Sequence, residues 1–403
     1  MDRDAQPVAW LPPGVARNRA AERPFYTFLL KIAARCNLDC TYCYVYSGPD
    51  QSWRERPRFM SRRVAERAAN AIATHVIKHG VAEIAIVFHG GEPLLAGPSR
   101  IDEYCQIVRS IVPARVEFGI QTNATLLNER LLCVLAAHDV RIGVSLDGNE
   151  SANDLNRRLR SGGATYARTA RALELLRSRP EWARLFGGFL AVVDLRNDPR
   201  MVYEGLVSAG ARSLDLLLPD SHHDGPPPRP SGGEAHIAYG RWLSRFFDYW
   251  LEGKTEIELR YFEEIIALLL GGSSSLEAIG AKSVDLIVIE SDGDIEAVDT
   301  LKMVGRHVTD LGLNVARDTL DDAMAHPAVY SRMLGYAALC DTCRSCPDLE
   351  YCGGGYLPHR YGRGNGFLNP SVYYEDLRFL FGHIRERIRP HLALAAEGNV
   401  VRI

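Results

Sequence analysis

Between residues 25 and 220, short apolar and β-branched runs alternate with longer amphipathic stretches, which limits the fold more than any other feature of this 403-residue chain. Such alternation is the pattern of a parallel sheet whose crossovers are helices. Six runs qualify as strands: residues 25–32, 81–88, 115–121, 141–146, 186–193 and 213–218. Helices fit between them over 100–111, 128–138, 165–178 and 200–209, and Ser61 is placed to cap another that ends before Gly80. Six βα units predict an α/β fold, a partial (β/α)6 barrel of the TIM type. No repeat of fixed period is visible.

The alternation stops at SHHDGPPPRPSGGE (221–234), where proline and glycine make a long loop. Two helices follow (YGRWLSRFFDYWLEG, YFEEIIALLLGG), then DLIVIESDGDIEAVD, whose Asp-Gly between alternating runs signals a hairpin. The chain thus divides into an N-terminal extension (1–24), the barrel (25–232), a helical linker (233–282) and a smaller module (283–403) stapled by metal more than by a large core. A formal charge of -3 gives no general affinity for nucleic acid or anionic membrane. The stretch MDRDAQPVAWLPPG lacks a basic n-region followed by an apolar run, and no window has the length and uninterrupted apolarity of a membrane span, so a cytoplasmic location is expected.

Nine cysteines are distributed unevenly, with three over 36–43, four over 340–352, and Cys105 and Cys133 apart. Tight clusters in a long chain point to metal rather than to disulfides. Cys105 and Cys133 sit in apolar helical patterns and are read as buried packing thiols. In CNLDCTYC, Cys36, Cys40 and Cys43 directly follow the first strand. Zinc normally closes its site with four ligands, whereas three thiolates suit a 4Fe–4S cubane with one open iron. In CDTCRSCPDLEYC, Cys340, Cys343, Cys346 and Cys352 suffice to close a site, and spacing alone leaves zinc and iron equally open.

The C-x3-C-x2-C spacing, with Tyr42 before the third cysteine, resembles the signature of the radical S-adenosylmethionine (SAM) superfamily. The resemblance implies that the open iron chelates SAM and that an electron passed to the sulfonium yields a 5′-deoxyadenosyl radical. It extends to Gly90, Gly91 and Glu92, which match a GGE motif contacting the SAM amino group. Asn123, Ser145 and Asp147 match ribose and carboxylate contacts, and Arg157 resembles the arginine that pairs with the SAM carboxylate. Independently, residues just past the strand ends of a parallel α/β barrel converge on one mouth. Cys36–Cys43, Glu92, Asn123, Ser145 and Asp147 all occupy such places, as do Asp194, Arg196, Asp220, His222 and His223 after the last two strands. The two histidines alone read as surface loop residues.

The run CGGGYLPHRYGRGNGFLNPSVYYEDL resembles the C-terminal SPASM-like module of radical SAM peptide maturases, particularly the FxsB-like branch. The module resembled is SPASM/twitch-like, which favours iron over zinc and implies one auxiliary 4Fe–4S cluster on Cys340, Cys343, Cys346 and Cys352. Tyr374 stands where the branch usually has cysteine, and DGDIEAVD lacks the cysteines of a second auxiliary cluster. The resemblance implies a ribosomal precursor peptide as substrate, a flavodoxin- or ferredoxin-like electron donor, and a cyclophane-type carbon–carbon cross-link as product. Epimerisation, thioether formation and formylglycine-type oxidation stay open, as does a metal-stabilised, non-catalytic peptide-binding protein. Glu290, Asp292 and Asp299 flank the expected hairpin and read as solvated, with no catalytic base assigned.

Overall fold

The computed structural model describes residues 8–16, 23–253 and 256–396. Two compact units separate by contact. One holds the described residues of Ala16–Leu190 and Ser283–Leu334, and the other those of Met1–Val15, Ala191–Lys282 and Gly335–Ile403. The stretch 283–403 is therefore shared between the two at residue 334.

The first unit is built on β1 (Thr27–Ala33), β2 (Glu83–Gly90), β3 (Arg115–Thr122), β4 (Arg141–Ser145) and β5 (Phe186–Val192), each parallel to its neighbour. Helices Arg62–His79, Pro98–Ile111, Glu129–Ala137, Glu150–Asn156 and Tyr166–Arg177 occupy the crossovers. Ser61 caps the first, accepting the Val64 N–H, and Gly80 ends it at φ 63°. β1 is buried almost throughout, as a strand covered on both faces requires. The Asp-Gly segment forms the expected antiparallel hairpin of two strands, one Leu286–Ile289 and the other Asp294–Glu296, with Gly293 at φ 94°. Its first strand also pairs in parallel with β1, and Asp310–Asn314 pairs with its second. The fold is thus α/β with a mostly parallel central sheet.

The second unit contains helices Pro199–Ser208, Ala238–Glu252, Arg260–Leu269 and Tyr374–Ala396, with a short parallel pair, Ser213–Leu217 and Glu258–Leu259. It has a larger core than its composition led us to expect. Leu377, Leu380, Phe381, Ile384 and Ile388 are buried on the last helix, and Phe246, Phe247 and Phe262 are buried in the same unit. That 3.6-residue periodicity is masked in sequence by the intervening Arg378, Arg385 and Arg387, two of which pair with Asp348 and the third with Asp248. Cys105 is fully buried, but Cys133 is exposed and is no packing thiol. The apolar stripe of its helix is Leu131, Leu132 and Leu135, and position 133 lies off it. No described helix is long and apolar enough to cross a membrane.

Candidate functional site

The parallel register sets Ala33 at the end of β1 beside Gly90 at the end of β2, so the cysteine loop leaves the sheet against HGGEP. Cys43 N–H donates to the Cys40 carbonyl at 3.1 Å, and Leu38 N–H to Cys36 Sγ at 3.3 Å. Gly90, at φ 146°, lies on the Ala33 carbonyl, and Gly91 on the Arg35 backbone and the Tyr46 hydroxyl. A side chain at either place would push the cysteine loop off the sheet edge.

Behind the glycines the Glu92 carboxylate is buried and ties two strand ends together. Its Oε1 accepts the Thr122 hydroxyl at 2.6 Å and the Leu94 N–H at 3.0 Å, and its Oε2 accepts the Asn123 N–H at 2.9 Å. Asn123 in turn donates to Asn37 Oδ1 inside the cysteine loop at 3.0 Å. On the other side Arg157 donates to the Tyr42 hydroxyl at 2.8 Å, and that hydroxyl donates to Asp147 Oδ2 at 2.5 Å. Ser145 accepts from Gln121 at 2.9 Å. The eight residues matched to SAM contacts thus adjoin the cysteine loop or the strand ends beside it. Asp194, Arg196, Asp220, His222 and His223 belong to the other compact unit. There Asp194 pairs with Arg196, and His223 bonds the Pro370 carbonyl at 2.8 Å.

Burial pushes the Cys36 thiol up to about 12 and Cys40 up to about 11, although Arg157 pulls the latter down. Thiols so placed become thiolates by exchanging protons for metal. Among the described residues, the only His/Cys/Asp/Glu group whose ligand atoms lie within 4.8 Å of one another is His75, His79 and Asp321. The His75 group is a staple rather than a metal site. His75 Nε2 accepts the Phe25 N–H at 2.9 Å, which places the neutral ring's proton on Nδ1, bonded to Asp321 at 2.7 Å.

The acidic residues of the hairpin are not solvated turn residues. Glu290 and Asp299 are buried, Asp292 is half-buried, and they join a charged cluster that the sequence reading missed. Lys31, projecting from β1, bonds Asp299 and lies 3.1 Å from His89 Nδ1, and Tyr44 donates to the same Asp299 oxygen at 2.8 Å. Lys302 pairs with Glu290 at 2.7 Å and Glu296 at 2.8 Å, and Arg56 with Glu296 and Asp292. Burial raises the Asp299 carboxyl, but Lys31 and then His89 outweigh it and hold the group well below the usual carboxylate range. Burial, reinforced by Lys31, lowers His89 to about 4. A lysine inside the apolar run FYTFLLKI was the available signal.

In the second unit, Cys340 precedes the turn Asp341–Arg344, which carries Cys343, and Cys352 closes the turn Leu349–Cys352. Gly353, Gly354 and Gly355 follow at φ 62°, 88° and 69°, three successive left-handed residues that explain CGGG. They turn the chain so that the Gly354 N–H bonds the Cys352 sulfur and Gly355 N–H donates to the Cys352 carbonyl at 3.0 Å. The Tyr374 hydroxyl donates to Cys346 Sγ at 3.6 Å. Tyr374 thus supplies a hydrogen bond to a cysteine sulfur at the position where the resembled branch usually has cysteine.

Residues 30–187 match the Radical SAM superfamily model. The chain is 26% identical over 379 residues to a serine-type anaerobic sulfatase-maturating enzyme of Klebsiella aerogenes, covering 91% of this chain and 87% of the relative. It is 23% identical over 376 residues to a cysteine-type anaerobic sulfatase-maturating enzyme of Clostridium perfringens, covering 91% and 98%. The solved structure of native anSMEcpe with bound AdoMet and Cp18Cys peptide superposes with a TM-score of 0.73 at 22% identity, covering 90% of this chain and 98% of that one. These names differ from the FxsB-like branch that the motifs resemble. Residues 30–187 are a radical SAM domain, and the chain that carries them is a radical SAM oxidoreductase whose cofactors are SAM and 4Fe–4S clusters.

Proposed function

We propose that this is a cytoplasmic peptide-modifying enzyme in which Cys36, Cys40 and Cys43 hold the catalytic cluster and Cys340, Cys343, Cys346 and Cys352 hold a single auxiliary one. The sheet is read as a partial (β/α)6 barrel followed by a SPASM/twitch-like module. When bound, cluster and SAM supply a 5′-deoxyadenosyl radical able to take hydrogen from unactivated carbon. The chain's own residues position and shield it. Of roughly four acceptor sites on an ionised carboxylate, Glu92 has three filled, which leaves one for the SAM amino group. Arg157 keeps a buried positive charge beside Cys40 for the SAM carboxylate, with Tyr42 and Asp147 fixing its orientation. Gly90 and Gly91 give the backbone approach, and Asn123 and Ser145 the ribose contacts.

The observation that carries this reading is the convergence of the three-cysteine loop with Glu92, Asn123, Asp147 and Arg157 at one edge of the parallel sheet. A peptide or protein substrate is supported by the relatives' names and by the peptide in the superposed structure, and the donor is taken to be a flavodoxin- or ferredoxin-like protein. For the product, the sequence motifs favour a cross-link between a β-carbon and an aromatic ring. A second reading, oxidation of a serine or cysteine to an aldehyde, is favoured by similarity to sulfatase-maturating enzymes along 91% of the chain.

The test is anaerobic turnover of two peptides, one encoded beside the gene and one carrying a sulfatase maturation sequence. Loss of two hydrogens with missing fragment ions between two residues, and no reaction with a hydrazine, supports the cross-link. A hydrazine-reactive carbonyl on one serine or cysteine supports the second reading. Unchanged mass with deuterium at an α-carbon contradicts both.

A further inference from the structure

Arg360, in the HRY run, is only 7% exposed, and its Nε and Nη1 atoms are buried with no hydrogen-bond partner among the described residues. A buried guanidinium with unused N–H groups costs several kcal/mol unless an anion compensates it. Cys343, Cys352 and Cys340, together with Glu277, are the ionisable groups within electrostatic reach of it. Three of those four are thiols of the second cysteine set. Gly354, whose N–H bonds the Cys352 sulfur, also borders this guanidinium: a Cβ built on it would stand 3.4 Å from Arg360 Nη1, an ordinary contact, and would clash with Leu339 Cδ2. The same backbone turn thus borders both a cysteine sulfur and the arginine.

The geometry points to Arg360 as the fixed counter-charge of the auxiliary cluster, holding its anionic thiolates and sulfides and setting its reduction potential upward. This rests on the assignment of Cys340, Cys343, Cys346 and Cys352 as cluster ligands. Four thiolates around a cubane carry net negative charge, and each added electron increases it, so a fixed cation in a poorly solvated site favours the reduced form. Arg360 is a positioning and tuning residue, since nothing places it against substrate.

The test uses the full-length chain with Cys36→Ala, Cys40→Ala and Cys43→Ala, so that only the second cluster remains, and compares Arg360→Gln with Arg360→Lys by iron content and EPR-monitored redox titration. Arg360→Gln is expected to lower the midpoint by at least a tenfold change in redox equilibrium, about 59 mV for one electron. Arg360→Lys keeps the charge and should recover at least half of that shift. Loss of iron in Arg360→Gln with retention in Arg360→Lys supports the same role, because charge alone separates the variants. An unchanged midpoint in Arg360→Gln, an equal shift in Arg360→Lys, or iron loss in both overturns it while leaving the ligand assignment standing. Absence of any cluster in the parent variant overturns the ligand assignment, and this inference with it.

Discussion

The two cysteine sites are built in opposite ways. The first stands at the edge of a buried parallel sheet, and its loop is held by groups with their own reasons to be there: Glu92 tying two strand ends, Asn123 bonding Asn37, and Arg157 clamping Tyr42. The second is hung on short turns and three left-handed glycines, and beside it stands a buried arginine whose Nε and Nη1 have no hydrogen-bond partner among the described residues. A frame that is complete without metal can keep one iron open for a cofactor, whereas a frame that is incomplete without metal is suited to a closed cluster. The first site should therefore lose chemistry without losing structure, and the second should lose structure along with its cluster.

The largest expected effect is on the first site. Replacing Cys36, Cys40 and Cys43 together by alanine should abolish 5′-deoxyadenosine formation while leaving the circular dichroism spectrum and thermal midpoint close to those of the parent protein. At the second site, Cys352→Ala should remove roughly four irons per chain and stop peptide oxidation, yet SAM cleavage should persist. Because the last helix buries its own apolar stripe, this variant should stay folded and lose order only around the turns, measured as local gain in hydrogen exchange over 335–365. Exchange spreading through Tyr374–Ala396 would break the contrast.

Next comes Asp299→Asn, which leaves Lys31 charged in a buried place without its carboxylate partner. A loss of about 3–5 kcal/mol is expected by urea denaturation, as for other broken buried pairs. Acid should act in the same direction through two histidines, the half-buried His89, lowered to about 4 by desolvation and Lys31, and the buried His359, lowered to about 3 by burial. Unfolded imidazole titrates near 6.5, so below that pH the unfolded chain takes up protons that the folded one refuses. Stability from each group is complete above pH 6.5 and falls by about 1.4 kcal/mol per pH unit down to the folded value. Denaturation midpoints measured from pH 7 to pH 5 should decline accordingly, and His89→Gln should flatten the slope. Last comes Gly354→Ala, where a left-handed φ of 88° costs about 1–2 kcal/mol and the added Cβ must also displace the Leu339 side chain, read as reduced iron retention at the second site alone.

Much of the framework around the first cysteine loop was legible because its signals are local. The strand runs lie close to those observed, and Ser61 and Gly80 bound their helix as capping chemistry requires. What could not be read was non-local. Nothing in DLIVIESDGDIEAVD announces that its first strand pairs with β1, some 260 residues earlier, and that pairing is what buries Glu290 and Asp299 next to Lys31. The same distance hides the partner of Arg56, whose carboxylates lie more than 230 residues away. Tyr374 was legible as a departure from a pattern but not as a hydrogen-bond donor to Cys346, since that role depends on where the last helix begins. Cys133 was misread because an apolar window says nothing of which face a residue occupies.

The claim that the two cysteine sites hold two clusters of different function is tested most directly by EPR of the dithionite-reduced, anaerobic protein before and after SAM. The account predicts that SAM perturbs one of two 4Fe–4S signals, that the perturbed signal alone disappears when Cys36, Cys40 and Cys43 are replaced, and that Cys352→Ala removes only the other. A SAM-sensitive signal that survives the triple replacement, or is lost in Cys352→Ala while the other remains, would contradict it.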